Sequence, residues 1–300
     1  MSVHLSAEYL QRLGARSFTA GELAAWLPPR SPYGHKGTFG HVLLAAGSYG
    51  MAGAAVLAAR AALRSGSGKV TVHTPSCNLS VLQNAVPEAI VSPDVNTHVC
   101  TQLPDAAAFD GAGFGPGLGC STPVRQMLAA AFSAFHAPMV LDADALNLLA
   151  GYNELLSRLP AEAVLTPHPG ELRRLFPAAR DCGELLDCAR RMAADHGVYV
   201  LMKGHRTAIC APDGRLFFNT TGNSGMATAG SGDVPTGVLT SLLGQQVAPL
   251  EACLLGVYLH GLAGDFAAAA LGERSLTASD IIARLPQAFM ALEAAACTSE

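Results

Sequence analysis

His41-Val42-Leu43-Leu44-Ala45-Ala46 is followed by Gly47-Ser48-Tyr49-Gly50, an alanine-rich run over 53–65, and then Lys69-Val70-Thr71-Val72-His73. This stretch decides the fold class. A short apolar run bounded by glycines reads as a strand buried on both faces. The alanine-rich run has the composition of a helix, and a second strand follows it. The alternation continues, with strands predicted at 107–111, 138–141, 163–165 and 198–202 and helices at 123–135, 144–149, 170–175 and 182–195. Pro212-Asp213-Gly214 turns a hairpin between 207–211 and 215–218. The rest reads as helix over 234–243, 250–271 and 277–295. Repeated strand–helix units imply an α/β fold, with a mostly parallel sheet and helices on both faces. No low-complexity linker or internal repeat divides the chain. The expectation is one domain over 1–300, with an N-terminal extension at 1–34 and a tail at 296–300.

Composition narrows the function. Half of the 300 residues are hydrophobic and 14% are charged. That supplies a large core and leaves apolar surface for an oligomer. A net charge of −4 without a basic run argues against nucleic-acid partners. The first residues, Met1-Ser2-Val3-His4-Leu5-Ser6-Ala7-Glu8, lack the pattern of a signal peptide. The apolar stretch 42–63 is interrupted by Gly47, Ser48, Gly50, Gly53 and Arg60, so it reads as strand–turn–helix and not as a membrane span. Eight scattered cysteines without C-x-x-C spacing fit buried small hydrophobes in a reducing, cytoplasmic setting. The ten histidines show no zinc-ligand spacing.

In open α/β sheets ligands bind at the carboxyl ends of the strands. The polar and glycine-rich loops at 47–53, 113–119, 142–147, 166–170, 203–206 and 219–233 all follow predicted strands, so they are expected to share one cleft. Asn223-Ser224-Gly225-Met226-Ala227-Thr228-Ala229-Gly230-Ser231-Gly232-Asp233 is the densest in chemistry. Its small residues let backbone N–H groups approach a ligand, and the helix that follows directs its positive end at the same point. Asp233 reads either as a helix cap or as a base for a substrate hydroxyl. Asp142 and Asp144 at a strand end suit orientation of a substrate, or a magnesium ion held through water. For Asp144 a cap is the plainer reading. His168, between two prolines, is equally a ligand contact or a satisfied polar residue. Lys203 beside Gly204 could meet a phosphate. Gly66-Ser67-Gly68-Lys69-Val70 fails as a P-loop, and Gly111-Ala112-Gly113-Phe114-Gly115-Pro116-Gly117-Leu118-Gly119 fails the dinucleotide fingerprint.

Together with His35-Lys36-Gly37-Thr38-Phe39-Gly40, Thr166-Pro167-His168-Pro169-Gly170-Glu171, Lys203-Gly204-His205-Arg206-Thr207 and Thr277-Ala278-Ser279-Asp280, these segments resemble the ADP/ATP-dependent NAD(P)H-hydrate dehydratases of the ribokinase-like superfamily, over about 35–285. The resemblance implies a three-layer α/β/α sandwich. It implies repair of the S epimer of hydrated NADH or NADPH, driven by ADP (favoured) or ATP and releasing phosphate. Asp233 would be the base, and the N–H groups of Gly230, Ser231 and Gly232 would stabilise the transferring phosphoryl group. Ala54, Ala55, Gly117, His168 and Asp233 would contact the hydrate. Lys203, Gly204, His205, Arg206, Thr207 and Gly232 would contact the nucleotide. Magnesium is expected on the nucleotide phosphates, with no metal ligand assigned in the chain. A cytoplasmic homotetramer and a separate epimerase partner are also implied, the epimerase domain that often precedes this pattern being absent from the sequence. Pro235 departs from the pattern, which carries leucine there. The alternatives are a ribokinase-like kinase for a vitamin or sugar alcohol, which the loops at 53–55 and 166–170 argue against, and a nucleotide-binding regulator, which the intact Gly-Ser-Gly-Asp argues against.

Overall fold

The computed structural model describes residues 5–297; residues 1–4 and 298–300, the outer ends of the expected extension and tail, lie outside the described residues. Nine strands form one sheet: β1 (His41–Ala45), β2 (Lys69–Pro75), β3 (Ile90–Asp94), β4 (Gly111–Phe114), β5 (Met139–Leu141), β6 (Val164–Leu165), β7 (Tyr199–Met202), β8 (Ala208–Cys210) and β9 (Leu216–Phe218). Their order is β3-β2-β1-β4-β5-β6-β7-β8-β9. Pairing is parallel from β3 through β7 and antiparallel at β7–β8 and β8–β9. The order runs outward from β1 in both directions, so the chain reverses at β1/β4, a point where open sheets bind ligands.

Burial explains the strands. Val42, Leu43, Leu44 and Ala45 of β1 are fully buried. One apolar cluster lies on the side of Leu43 and Ala45, and another takes Val42 and Leu44. Both faces are therefore covered, as in parallel sheets generally. The helix Asp233–Gly244 is buried along its whole length from Val234. The helix Pro249–Leu271 has the length and hydropathy of a membrane span, yet half of its most apolar window is buried, and it packs against Ala278–Cys297 and Asp233–Gly244.

One predicted strand shifts. The strand expected at 107–111 begins instead at Gly111, after a single 3-10 turn over Ala106–Ala108. Gly111 and Gly113 lie inside β4 because the helix Asp233–Gly244 sits directly on it. A Cβ at Gly113 would lie 2.5 Å from Thr240 Oγ1, and one at Gly111 would lie 3.0 Å from the Gly244 nitrogen. The edge strand β3 and the helix Leu79–Ala85 before it were not anticipated. The segment expected as an N-terminal extension contributes Leu10 and Leu23 to the core, and Arg16 bridges to Phe217 of β9. Cys77, Cys100, Cys120, Cys182, Cys188, Cys210 and Cys253 are free thiols.

Candidate active site

Asp233 is the first residue of the helix Asp233–Gly244, and no side chain caps that helix. Its carboxylate makes no hydrogen bond among the described residues, so the capping reading is not realised. Burial raises its pKa to about 6; the charges of Asp142 and Asp144 raise it too, while Lys203 lowers it. A carboxylate poised near neutrality, with free lone pairs at a helix N-terminus, can accept a proton from an alcohol.

The loop before it is wound tightly. Gly230 has φ +84°, and a Cβ there would lie 2.4 Å from Leu57 of the helix Ala52–Arg64. The Ser231 N–H donates to the Thr228 carbonyl at 3.3 Å and Asp233 N–H to Gly230 at 3.0 Å. The N–H groups of Gly230 and Gly232 have no acceptor among the described residues. Of the three donors expected to stabilise an anion, Ser231 is thus engaged within its own turn. A Cβ on Gly232 would lie only 3.6 Å from Lys203 Nζ, which brings that ammonium to the helix N-terminus.

Lys203 follows β7, and its N–H donates to the Pro167 carbonyl at 2.8 Å, joining two strand-end loops. Its ammonium pairs with Asp142 at 2.6 Å. Asp142 is 1% exposed and accepts a second hydrogen bond, from Thr236 Oγ1, at 2.7 Å. Asp144 does not cap its helix. It accepts from the Gly119 N–H at 2.8 Å and from Asn147 Nδ2 at 3.1 Å, tying down the glycine loop after β4. Gly47 N–H donates to Pro116 at 2.8 Å, so the loops after β1, β4 and β5 are joined to one another.

His168 is hydrogen-bonded within its own turn. Its Nδ1 accepts from Gly170 and Glu171 N–H, while Glu171 Oε2 accepts from His168 N–H at 2.7 Å, a capping box for the helix Pro169–Leu175. Half of the side chain is still exposed. Burial lowers its pKa, as do the charges of Lys203 and Arg174, while Asp142 raises it.

A cavity of about 700 Å³ opens beside Lys203. His168, Lys203, Gly204, His205, Thr207 and Gly232 line it, together with apolar Leu201, Met226 and Val257. Apolar walls carrying a few polar and cationic groups suit a small-molecule ligand. Arg206 is not part of the lining. Ala54 and Gly117 meet outside this cavity, a Cβ on Gly117 lying 3.2 Å from Ala54 Cβ. Ala55 is fully buried in the core, so its side chain faces no open surface.

Two residues of the helix Pro249–Leu271 escaped the sequence reading. His260 lines the cavity with its Nε2 buried and unpartnered, and burial lowers its pKa to about 4. Asp265 accepts from the Gly222 N–H and from Asn223 Nδ2, each at 2.9 Å, fixing the loop that forms the far wall. The signal for both was the polar and small set His260, Gly261, Gly264 and Asp265 inside an otherwise apolar helix.

The profile of a family described as NAD(P)H-hydrate dehydratase matches residues 42–287. A bifunctional NAD(P)H-hydrate repair enzyme from Moorella thermoacetica is 40% identical, over 94% of this chain and 55% of that protein. The chain thus spans about half the length of such relatives. An ADP-dependent (S)-NAD(P)H-hydrate dehydratase from Neisseria meningitidis serogroup B is 38% identical, over 79% of this chain and 80% of the relative. An ADP/ATP-dependent NAD(P)H-hydrate dehydratase from Bacillus subtilis, co-crystallized with ATP/Mg2+, superposes with a TM-score of 0.81 at 31% identity, covering 93% of this chain and 99% of the other. A hydroxyethylthiazole kinase from Pyrococcus horikoshii, at 15% identity and a TM-score of 0.60, shares the ribokinase-like fold alone. The fold, the loop that ends at Asp233 and these matches agree: the chain belongs to the NAD(P)H-hydrate dehydratase family.

Proposed function

We propose that this protein dehydrates the S epimer of hydrated NADH or NADPH at the expense of ADP or ATP. The observation that carries the reading is Asp233, a base with a pKa of about 6 at the end of a helix, flanked by glycine N–H groups and the Lys203 ammonium. In this mechanism Asp233 takes the proton of the C6 hydroxyl. The hydroxyl oxygen forms a bond to the terminal phosphorus of the nucleotide as the bond to the bridging oxygen breaks. AMP leaves from ADP, or ADP from ATP. Phosphorylation turns hydroxide into a good leaving group. The ring-nitrogen lone pair expels phosphate, and loss of the proton at C5 restores the dihydropyridine.

The residues divide the work. Gly230, Gly232 and Lys203 meet charge on the transferring group. The cavity beside Gly204, His205 and Thr207 takes the adenine nucleotide, and the hydrate contacts His168 on the cavity wall and Ala54 and Gly117 outside it. Magnesium in this reading would be held by the nucleotide phosphates, as the family resemblance implies, and would neutralise part of their charge. Preference for ADP, a homotetrameric assembly in the cytoplasm and cooperation with a separate epimerase complete the proposal, on the strength of the family resemblance. A related repair enzyme is bifunctional, which supports a second activity working alongside this one.

The test is recovery of reduced-nicotinamide absorbance from S-NADH hydrate with magnesium, given ADP, ATP or neither. Nucleotide-dependent recovery with release of phosphate supports the reading, and the faster nucleotide names the donor. No recovery from folded protein that binds nucleotide overturns it and directs a screen toward small alcohols as kinase substrates.

A further inference from the structure

Lys203 is at the centre of the site, yet nothing in its own flexible stem fixes where its ammonium sits. That position is set by a carboxylate 61 residues away, Asp142, whose Oδ1 takes the Lys203 ammonium at 2.6 Å. The carboxylate is itself immobilised. Its Oδ2 accepts from Thr236 Oγ1 at 2.7 Å, and Thr236 is fully buried in the first turn of the helix that begins at Asp233. The backbone is equally constrained. Asp142 N–H donates to Phe114 at 3.0 Å. The following residue, Ala143, holds φ +46°, a left-handed conformation costly for a residue with a Cβ. A Cβ on Gly115, at φ +132°, would lie 1.8 Å from the Asp142 carbonyl oxygen, so only glycine lets the loop after β4 close on this point. Strain, a glycine-only approach and two side-chain hydrogen bonds converge on one buried residue that is not part of the cavity lining.

We propose that Asp142 is a positioning residue for phosphoryl transfer: one oxygen holds the Lys203 ammonium beside Gly232, and the other is locked by Thr236 to the helix that presents Asp233. The proposal rests on the reaction assigned above. A purely structural ion pair would need neither the strained backbone nor the link to the helix of the base, and its loss would lower stability without changing catalysis in a specific way.

The experiment compares Asp142→Asn and Thr236→Val with the wild type, using three readouts. The first is NMR titration of the Asp233 carboxyl, which needs no substrate. The charges acting on Asp233 are Asp142 and Asp144, which raise its pKa, and Lys203, which lowers it; His168, Glu171 and His260 in turn feel Lys203. Removing the Asp142 charge, and so leaving Lys203 unneutralised, moves the Asp233 titration to lower pH. Thr236→Val keeps the charge and leaves the titration in place. The second readout is the split between kcat and KM. Asp142→Asn is expected to lose about a hundredfold in kcat, the scale for a displaced group at a reacting centre, with nucleotide KM changed by less than about tenfold. Thr236→Val is expected to lose about tenfold in kcat, the scale of one hydrogen bond to a charged group. The third is the thermal midpoint, which registers a structural role. A lowered midpoint with kcat and the Asp233 titration unchanged overturns the proposal. If Asp142→Asn does not fold, an unchanged kcat in Thr236→Val overturns it and a loss confined to kcat supports it. If the wild type fails to repair the hydrate, the functional reading fails, while the Asp233 titration still supports or overturns the electrostatic link to Asp142.

Discussion

Gly237 lies directly against Ala58: a Cβ at position 237 would sit 2.1 Å from the Ala58 carbonyl oxygen, 2.9 Å from Ala61 Cβ and 2.9 Å from the Ala62 nitrogen. Gly237 belongs to the helix that begins at Asp233, and Ala58 to the helix that carries Ala54. The two walls assigned to hydrate binding are thus held together by a helix pair in which one backbone touches the other. Gly237→Ala must separate these helices, because the obstruction is backbone and not the end of a flexible side chain. Overpacking of this kind costs about 1–3 kcal/mol. The expected outcome is a thermal midpoint lowered by several degrees together with a fall in turnover, as the wall at Ala54 moves from Asp233. Wild-type stability measured by calorimetry on Gly237→Ala would contradict this packing.

Asp233 links pH to both activity and stability. Its pKa is raised from 3.8 to about 6 by burial and neighbouring carboxylates. As a base it works only when deprotonated, so kcat/KM is expected to fall one decade per pH unit below about pH 6, with a plateau above. The stability effect has the opposite direction. A carboxyl with a raised folded pKa contributes stability below its ordinary pKa, and that contribution is lost as pH rises through the folded value. Asp233→Asn removes the charge and so avoids the loss. It is expected to abolish turnover and leave nucleotide binding nearly intact. At pH 8 it should unfold at higher temperature than the wild type, by of the order of 1 kcal/mol, and near pH 4 the two should coincide. Turnover retained by Asp233→Asn would remove Asp233 from the mechanism.

Most of this architecture was legible in the sequence because buried parallel strands and amphipathic helices carry strong periodic signals. The elements that were missed had weaker ones. β3 is an edge strand with Pro93 in it and Ile90 half exposed, so neither apolar alternation nor propensity marks it. β4 was displaced because Gly111 and Gly113 look like loop glycines, whereas they are strand residues cleared for a helix to lie on them. The loops converge as expected, since parallel topology puts the carboxyl ends of β1 through β7 on one rim, and β9, antiparallel to β8, returns its own end to that rim. Individual hydrogen bonds cannot be read from a glycine-rich loop: Ser231 turns its N–H inward and Ala55 is sealed in the core. His260 and Asp265 were hidden by the apolar character of their helix, where two polar residues among many hydrophobic ones weigh little in a periodicity reading.

Asp265 supplies the last prediction. Its two oxygens accept from the Gly222 N–H and Asn223 Nδ2, and Met226 packs over Gly264, where a Cβ would lie 2.3 Å from its sulfur. These contacts fasten the segment 222–226, which forms one wall of the cavity, to a core helix. Gly222 has φ +103° and Asn223 is the cap of a single 3-10 turn, so the segment has little regular structure of its own to hold it. Asp265→Ala leaves the Gly222 N–H and the Asn223 amide without partners and lets the wall fluctuate. Because these groups can then reach water, the cost to global stability is expected to be small, about 1 kcal/mol. The cost to binding is expected to be larger: the free protein must order the wall each time nucleotide binds, weakening affinity for ADP by about tenfold, in proportion to the fraction of molecules that are competent. Calorimetric titration with ADP and hydrogen exchange at 222–226 measure the two effects separately. Affinity unchanged while exchange accelerates would show that nucleotide does not rest against this wall.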